Sequence, residues 1–257
     1  MLVGMMGNGE KRLGIKHLLR LAAVVLCVSC LSAFPDTKAK TLRGQYETLI
    51  KEYESARTKY FEAAEHAKTD AQREKLVYPS PDQYAERFLA IAREEPKDPA
   101  ALEALVWVAT SCRGPQQQTA LDLLLANHVQ STNLARVADA LIYSQSTEAD
   151  NWLRSVLQQS PHHEVKGHVT YCLARHLTTK DRAAAEKLFE EVVANYSDVS
   201  SYRSTIAEAA KGELFEIRSL AIGQVAPEIE GSDADGKNFK LSDYRGKVVV
   251  IDFWGDW

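Results

Sequence analysis

The sequence predicts a mainly α chain: antiparallel helical hairpins in a repeat-like stack, followed by the first β-elements of an α/β domain. Three observations carry this. Gly and Pro are scarce, 13 and 8 in 257 residues, and only Gly44, Gly114, Gly167 and Gly212 lie between the first 14 and the last 35 residues. Strands need frequent turns, so a β-rich middle is excluded. From Leu42 onward apolar residues recur at helical spacing, and at Ala221-Ile222-Gly223 that pattern gives way to short segments, an Asp-Gly pair and an unbroken β-branched run.

Composition sets the outer limits. With 45% apolar and 26% charged residues the chain is of ordinary globular type. Its 31 Lys+Arg against 35 Asp+Glu leave a formal charge of −4 and no basic footprint, which excludes a nucleic-acid partner. No cofactor-binding motif is read anywhere in it.

The first 33 residues read as an export signal. Lys11, Arg12, Lys16 and Arg20 form a basic region, and residues 21–34 then run without a charge, too short for a membrane span of standard length. Ser29, Ser32 and Ala33 offer cleavage points, and cleavage after Ala33 removes a net three positive charges, taking −4 to −7. An uncleaved anchor is the alternative, with Leu18 and Leu19 extending the apolar run while Arg20 snorkels. Cys27-Val28-Ser29-Cys30 is formally a C-x-x-C, but inside an apolar segment nothing activates a thiolate. Cys30 is instead the candidate lipidation site, because Val28-Ser29-Cys30 follows an apolar run as in a bacterial lipobox, with Cys27 where such motifs usually carry Leu. Beyond residue 33 only Cys112 and Cys172 remain, either paired with each other or buried as free thiols.

A long N-terminal helix is expected within 34–78. Leu42, Tyr46, Leu49, Tyr53, Ala56, Tyr60, Ala63 and Ala67 form a seam of alternating four and three, mostly Tyr and Ala, which suits packing on the chain's own next helix better than a homodimeric coiled coil. Shorter amphipathic segments fill 79–220, separated by turn signals at Glu95-Pro96-Lys97-Asp98-Pro99, Arg113-Gly114-Pro115, Ser131-Thr132-Asn133, 144–146 and Gln159-Ser160-Pro161. Ser146 with Glu148 and Asp150, and Ser160 before Pro161, read as helix starts. The pair 165–177 and 181–196 resembles a tetratricopeptide unit, with Ala174 and Ala184 at the crossing and Leu188, Phe189, Val192 and Val193 as the inward stripe. Such stacks bind protein partners or brace a neighbouring domain.

Within this region Glu164, His168, Cys172 and His176 are spaced by four on one helix. A row that drifts by roughly 40° per step fits three ligands on one ion poorly, so no metal site is assigned and the row reads as a polar stripe with one buried Cys.

Residues 221–257 open an α/β domain: a hairpin signal at Asp235-Gly236, an alternating segment around Phe239 and Leu241, and a run from Val248 to Phe253 and Trp254 that reads as a central strand buried on both faces. The order Gly223-x-x-Ala226-Pro227, Asp235-Gly236-Lys237, Leu241-Ser242-Asp243, Arg245-Gly246-Lys247 and then Val248 to Trp257 resembles the start of a redoxin domain of the TlpA/ResA-like thiol-disulfide oxidoreductases. That resemblance implies a thioredoxin-like fold, akin to AhpC/TSA domains, and a C-x-x-C at once after Trp257. It matches Asp252 to the buried strand acid that serves the resolving cysteine, and Trp257 to the residue before the nucleophile; both flank the site without supplying its nucleophile. Trp254 would pack beneath it. The Asp252-Phe253-Trp254 string favours the disulfide-reductase branch over a peroxidase.

The resemblance implies an exported oxidoreductase, periplasmic or membrane-anchored, acting on a protein substrate, whose catalytic cysteines are absent from these 257 residues, so that this form is expected to be inactive. It further suggests that codon 258 is UGA, encoding selenocysteine in a Sec-x-x-Cys; a frameshift, a nonsense mutation or a shortened chain gives the same string. The alternative is a non-catalytic helical scaffold for a protein partner, with a vestigial tail.

Overall fold

Local signals place most of the helix boundaries. The computed structural model describes residues 41–253 apart from 145, 202 and 203. Thr41 caps α1 (Leu42–His66), its hydroxyl accepting from the Gly44 N–H at 3.0 Å. A one-turn α2 (Asp70–Arg73) follows, closed by a reciprocal capping box between Thr69 and Gln72. Then come α3 (Asp82–Glu94), α4 (Pro99–Ser111) and α5 (Pro115–His128). Asp98 caps α4 with Pro99 in its first turn, and Gly114, at φ 70°, makes the left-handed turn into Pro115 that no residue with a Cβ adopts cheaply.

The second half continues with α6 (Leu134–Leu141), α7 (Thr147–Gln159), α8 (His163–Leu177), α9 (Arg182–Asn195) and α10 (Ile206–Phe215), the last passing into a π-helical turn at Glu216–Leu220. Ser146, Asp181 and Thr205 cap α7, α9 and α10 through their side chains. The expected start at Ser160 is corrected. The Ser160 N–H donates to the Val156 carbonyl at 2.8 Å, which makes Ser160 the end of α7, and α8 begins three residues later without a side-chain cap.

The helices pack on near neighbours in the chain: α1 on α3 and α4, α3 on α4, α4 on α5 and α6, α5 on α7, α6 and α7 on α8, α8 on α9 and α10. That pattern is a stack of hairpins rather than a closed bundle. The inner half of the α1 seam is buried at Leu42, Leu49 and Tyr53, while Tyr60 and Ala63 lie further out. Arg43 grips Glu103 of α4 with two 2.6 Å contacts, and Glu52 receives Arg87 of α3 at 2.6 Å. Trp152 of α7 donates its indole N–H to the Leu121 carbonyl of α5 at 2.8 Å. One core runs from Leu42 to Leu173 and a second from Ala174 to Ile217, so both end before the C-terminal segment. Among the described residues no helix is long and apolar enough to cross a membrane.

In the α8–α9 hairpin Ala174, Phe189 and Val192 are buried as expected, and the α9 alanine that is fully buried is Ala185, with Ala184 half-buried. The other close approach is at Gly167, where a Cβ would lie 2.8 Å from Ile206 Cδ1 and 3.2 Å from Tyr196 Cβ. Gly167→Val is therefore expected to lose about 1–3 kcal/mol by overpacking, read from urea unfolding. No loss at all would show that α10 simply moves aside, since replacing a helical Gly without a clash is neutral or stabilising.

The C-terminal segment holds one two-stranded antiparallel sheet, β1 (Glu230–Ser232) with β2 (Asn238–Lys240), in the register Glu230↔Lys240, Gly231↔Phe239, Ser232↔Asn238. The central strand expected over 248–254 is corrected. Residues 248–253 carry no regular structure and are exposed, Val248 at 97% and Val250 at 90%. A parallel central strand exists only between neighbours that take its backbone N–H and C=O groups, and the described residues offer none.

Candidate functional site

Two places concentrate chemistry-bearing residues: the C-terminal segment and the inner face of α8. In the segment, Asp233 closes the hairpin, its carboxylate accepting from the N–H groups of Asp235 (3.0 Å) and Lys237 (2.9 Å), with Gly236 at φ 77°. After β2 the chain folds back. Leu241 N–H donates to the Ile229 carbonyl, Lys240 N–H to Asp243 and Ser242 N–H to Glu228, all at 2.9 Å. The Ser242 contacts hold the Glu228 carboxyl below its ordinary range. Gly246, at φ 83°, then turns the chain into 248–253.

Asp252 lies in that exposed stretch, away from any strand. Trp257 and Trp254 lie outside the described residues, as does Cys30 with all of 1–33, where the export signal is expected. Residues 221–257 contain no cysteine and no histidine. The segment thus supplies scaffold, a pinned hairpin and a β-branched run, and brings no nucleophile or metal ligand set together.

The α8 row is an interior feature. His168 is 7% and His176 1% exposed, and Cys172 between them is equally buried, while Glu164 is exposed. His168 Nδ1 lies 2.7 Å from Asp139 Oδ1 of α6. His176 reaches two other helices, with Nδ1 at 2.5 Å from Asp150 of α7 and Nε2 at 2.8 Å from the Leu141 carbonyl at the end of α6. The stripe was visible as spacing, but its partners, 29, 26 and 35 residues distant, were not.

Cys172, His176 and Asp150 follow one another in the order nucleophile, base, orienting acid. The geometry rules that role out. Cys172 is sealed from solvent and burial pushes its thiol well up, so no thiolate forms near neutral pH. His176 Nε2 is spent on the Leu141 carbonyl, with Cys172 Sγ further off at 3.7 Å. Cys112 is buried too, its thiol pushed up to about 12 by burial and then by Asp82. Both cysteines are free, so the paired alternative is not realised. Among the described residues no three His, Cys, Asp or Glu side chains are grouped to hold a metal ion.

Residues 222–257 match the AhpC/TSA family. The thiol-disulfide oxidoreductase ResA of Geobacillus thermodenitrificans is 45% identical over 42 residues, 16% of this chain and 24% of that protein, and ResA of Geobacillus kaustophilus matches to the same extent. ResA of Bacillus anthracis is 36% identical over 47 residues, 18% of this chain and 27% of its own length. The chain therefore spans about a quarter of the length of the curated relatives it matches. No solved structure matches it.

Proposed function

We propose, from the premise that residues 222–257 are a redoxin segment of the AhpC/TSA family, that this chain belongs to an exported thiol-disulfide oxidoreductase whose helical stack precedes its catalytic domain. The observation that carries the reading is the ordered match of the C-terminal segment to three ResA proteins. Export rests on the basic and apolar residues of 1–33. Cys30 is the proposed lipid attachment point in the anchored form.

The chemistry is thiol-disulfide exchange. A thiolate at a helix N-terminus, stabilised by the unpaired backbone N–H groups there, attacks one sulfur of a substrate disulfide and releases the other as a thiolate. A second cysteine one turn on displaces the mixed disulfide, leaving a reduced dithiol substrate and an oxidised enzyme that a donor dithiol restores. The resemblance puts the first of these, Cys or selenocysteine, directly after Trp257. Trp257 then shapes the substrate-facing surface, and Asp252 accepts the proton of the second cysteine. The substrate is a protein disulfide outside the cytoplasm.

A second reading, a non-catalytic helical scaffold, has one observation in its favour: among the described residues, both cores close without any residue beyond Ile217. Enzymology separates the two. The 257-residue form is expected to reduce insulin disulfides, with dithiothreitol as donor, no faster than the free-thiol background, with or without Cys112→Ser and Cys172→Ser. The same chain continued by its downstream frame through the C-x-x-C or Sec-x-x-Cys is expected to turn over. Turnover that depends on Cys112 or Cys172 overturns the proposal, and so does a downstream frame with no redoxin sequence after codon 258.

A further inference from the structure

The inner face of α8 holds two imidazoles, two turns apart, each set between groups that only accept hydrogen bonds. Around His176 these are the Asp150 carboxylate from α7, at 2.5 Å from Nδ1, and the Leu141 carbonyl from α6, at 2.8 Å from Nε2. Around His168 the arrangement repeats with Asp139 of α6 on Nδ1, at 2.7 Å, and the Ser200 main chain from the α9–α10 connection. A neutral imidazole has a single N–H and a main-chain carbonyl cannot donate, so the two contacts of His168 need a second proton.

We propose that this face is a pH-sensitive clasp: His168 keeps, in the folded helical stack, a proton that the unfolded chain gives up near neutrality, so the stack loosens as its surroundings turn alkaline. The clasp holds α6, through Asp139, and the Ser200 connection to α8, while His176 ties α7 and the end of α6 to the same face by hydrogen bonds.

The charges facing each ring support this assignment. Asp139 and Arg136 approach His168 from α6, and Glu164 lies one turn before it on α8. Burial alone would lower the His168 imidazole, but the Asp139 hydrogen bond and charge, with Glu164 and the Ser200 main chain, outweigh it and leave the group above its ordinary value. On the other side Asp150 faces His176, with Lys180 Nζ on its second oxygen at 3.4 Å and Cys172 as the neighbour on α8. Arg175, next in sequence, is taken up by Glu213 of α10.

The sign follows from proton linkage. A group whose folded value is raised stabilises the fold fully below its unfolded value, about 6.5 for histidine, and that contribution is lost as the pH climbs through the folded value. His128 works the other way, since burial lowers it and its Nε2 has no hydrogen-bond partner. Its contribution is common to the native chain and to clasp variants, so it cancels in their comparison.

The test is the full chain unfolded by urea from pH 6 to pH 8, beside Asp139→Asn, which keeps the side chain's shape and removes its charge. The retained proton raises the unfolding constant by up to about tenfold per pH unit above about pH 6.5, until the folded group itself loses its proton. Asp139→Asn is expected to remove up to one such factor from the slope. Should that variant fail to fold, nitrogen-15 NMR of the 257-residue chain decides: above about pH 6.5 His168 should still show two protonated ring nitrogens. An unprotonated nitrogen on the His168 ring just above that pH, or equal slopes for the two chains, overturns the clasp.

Discussion

Phe88→Ala is expected to lose about 3–5 kcal/mol of stability, the range for removing a fully buried ring from a core. Phe88 is fully buried on α3, stacked on Trp107 of α4 with ring centroids 4.1 Å apart and edge-on to Tyr46 of α1 at 5.8 Å. Tyr53 meets Trp107 edge-on at 5.2 Å and Tyr84 at 5.3 Å, so one ring removed at position 88 opens the contact among three helices. The cavity cannot be refilled cheaply, because rings on three different backbones would have to move together. For a stack of this size the loss corresponds to a fall in Tm of roughly 6–20 °C. Val77→Ala, at a side chain 79% exposed, is the control and should change stability by less than about 0.5 kcal/mol. A Phe88→Ala loss under about 1 kcal/mol would mean that α1 closes onto α3 without this ring.

That aromatic junction shows where the sequence was legible and where it stopped. The four-three seam placed Tyr46 and Tyr53 on the inward side of one long helix, because periodicity is a property of the helix itself. Their partners Phe88 and Trp107 could not be read, since nothing in local spacing says which ring faces which across a helix crossing. Caps behaved alike: Ser146 was readable because the bond it makes lies within three residues. Ser160 misled because the same residue can close one helix or open the next, and the Val156 carbonyl had claimed its N–H. Ala184 and Ala185 differ by one position, yet on a helix that is a turn of about 100°, enough to exchange a half-buried place for a fully buried one.

The candidate sites divided in the same way. The C-terminal hairpin at Asp235-Gly236 was legible because a left-handed turn and its Asp ligand are local chemistry. The row of His168, Cys172 and His176 was legible as a row, but its meaning depended on Asp139 and Asp150, which other helices bring to it. Asp252 and its neighbours show the opposite limit. The β-branched run states a strand preference clearly, but a strand is completed only by partners outside its own sequence.

That unfilled preference leads to the other large effect expected of the 257-residue chain, its self-association. Along 248–251 the exposures alternate, 97, 42, 90 and 45%, as an extended backbone presents one side and then the other. Such a run, apolar, without proline and with its backbone groups unpaired, is a template for edge-to-edge pairing between copies. Val248→Lys with Val250→Lys places two charges on the more open side, where they oppose pairing in register. The native chain is expected to lose monomer progressively in sedimentation velocity as concentration rises, and the double variant to stay monomeric, the apolar residues of 21–34 being common to both. Because neither hydrophobic core includes a residue beyond Ile217, the variant should melt within about 0.5 kcal/mol of the native chain. Association unchanged by the two lysines would place the sticky surface elsewhere, and a lower melting temperature would show that the run is seated on the helical stack rather than open.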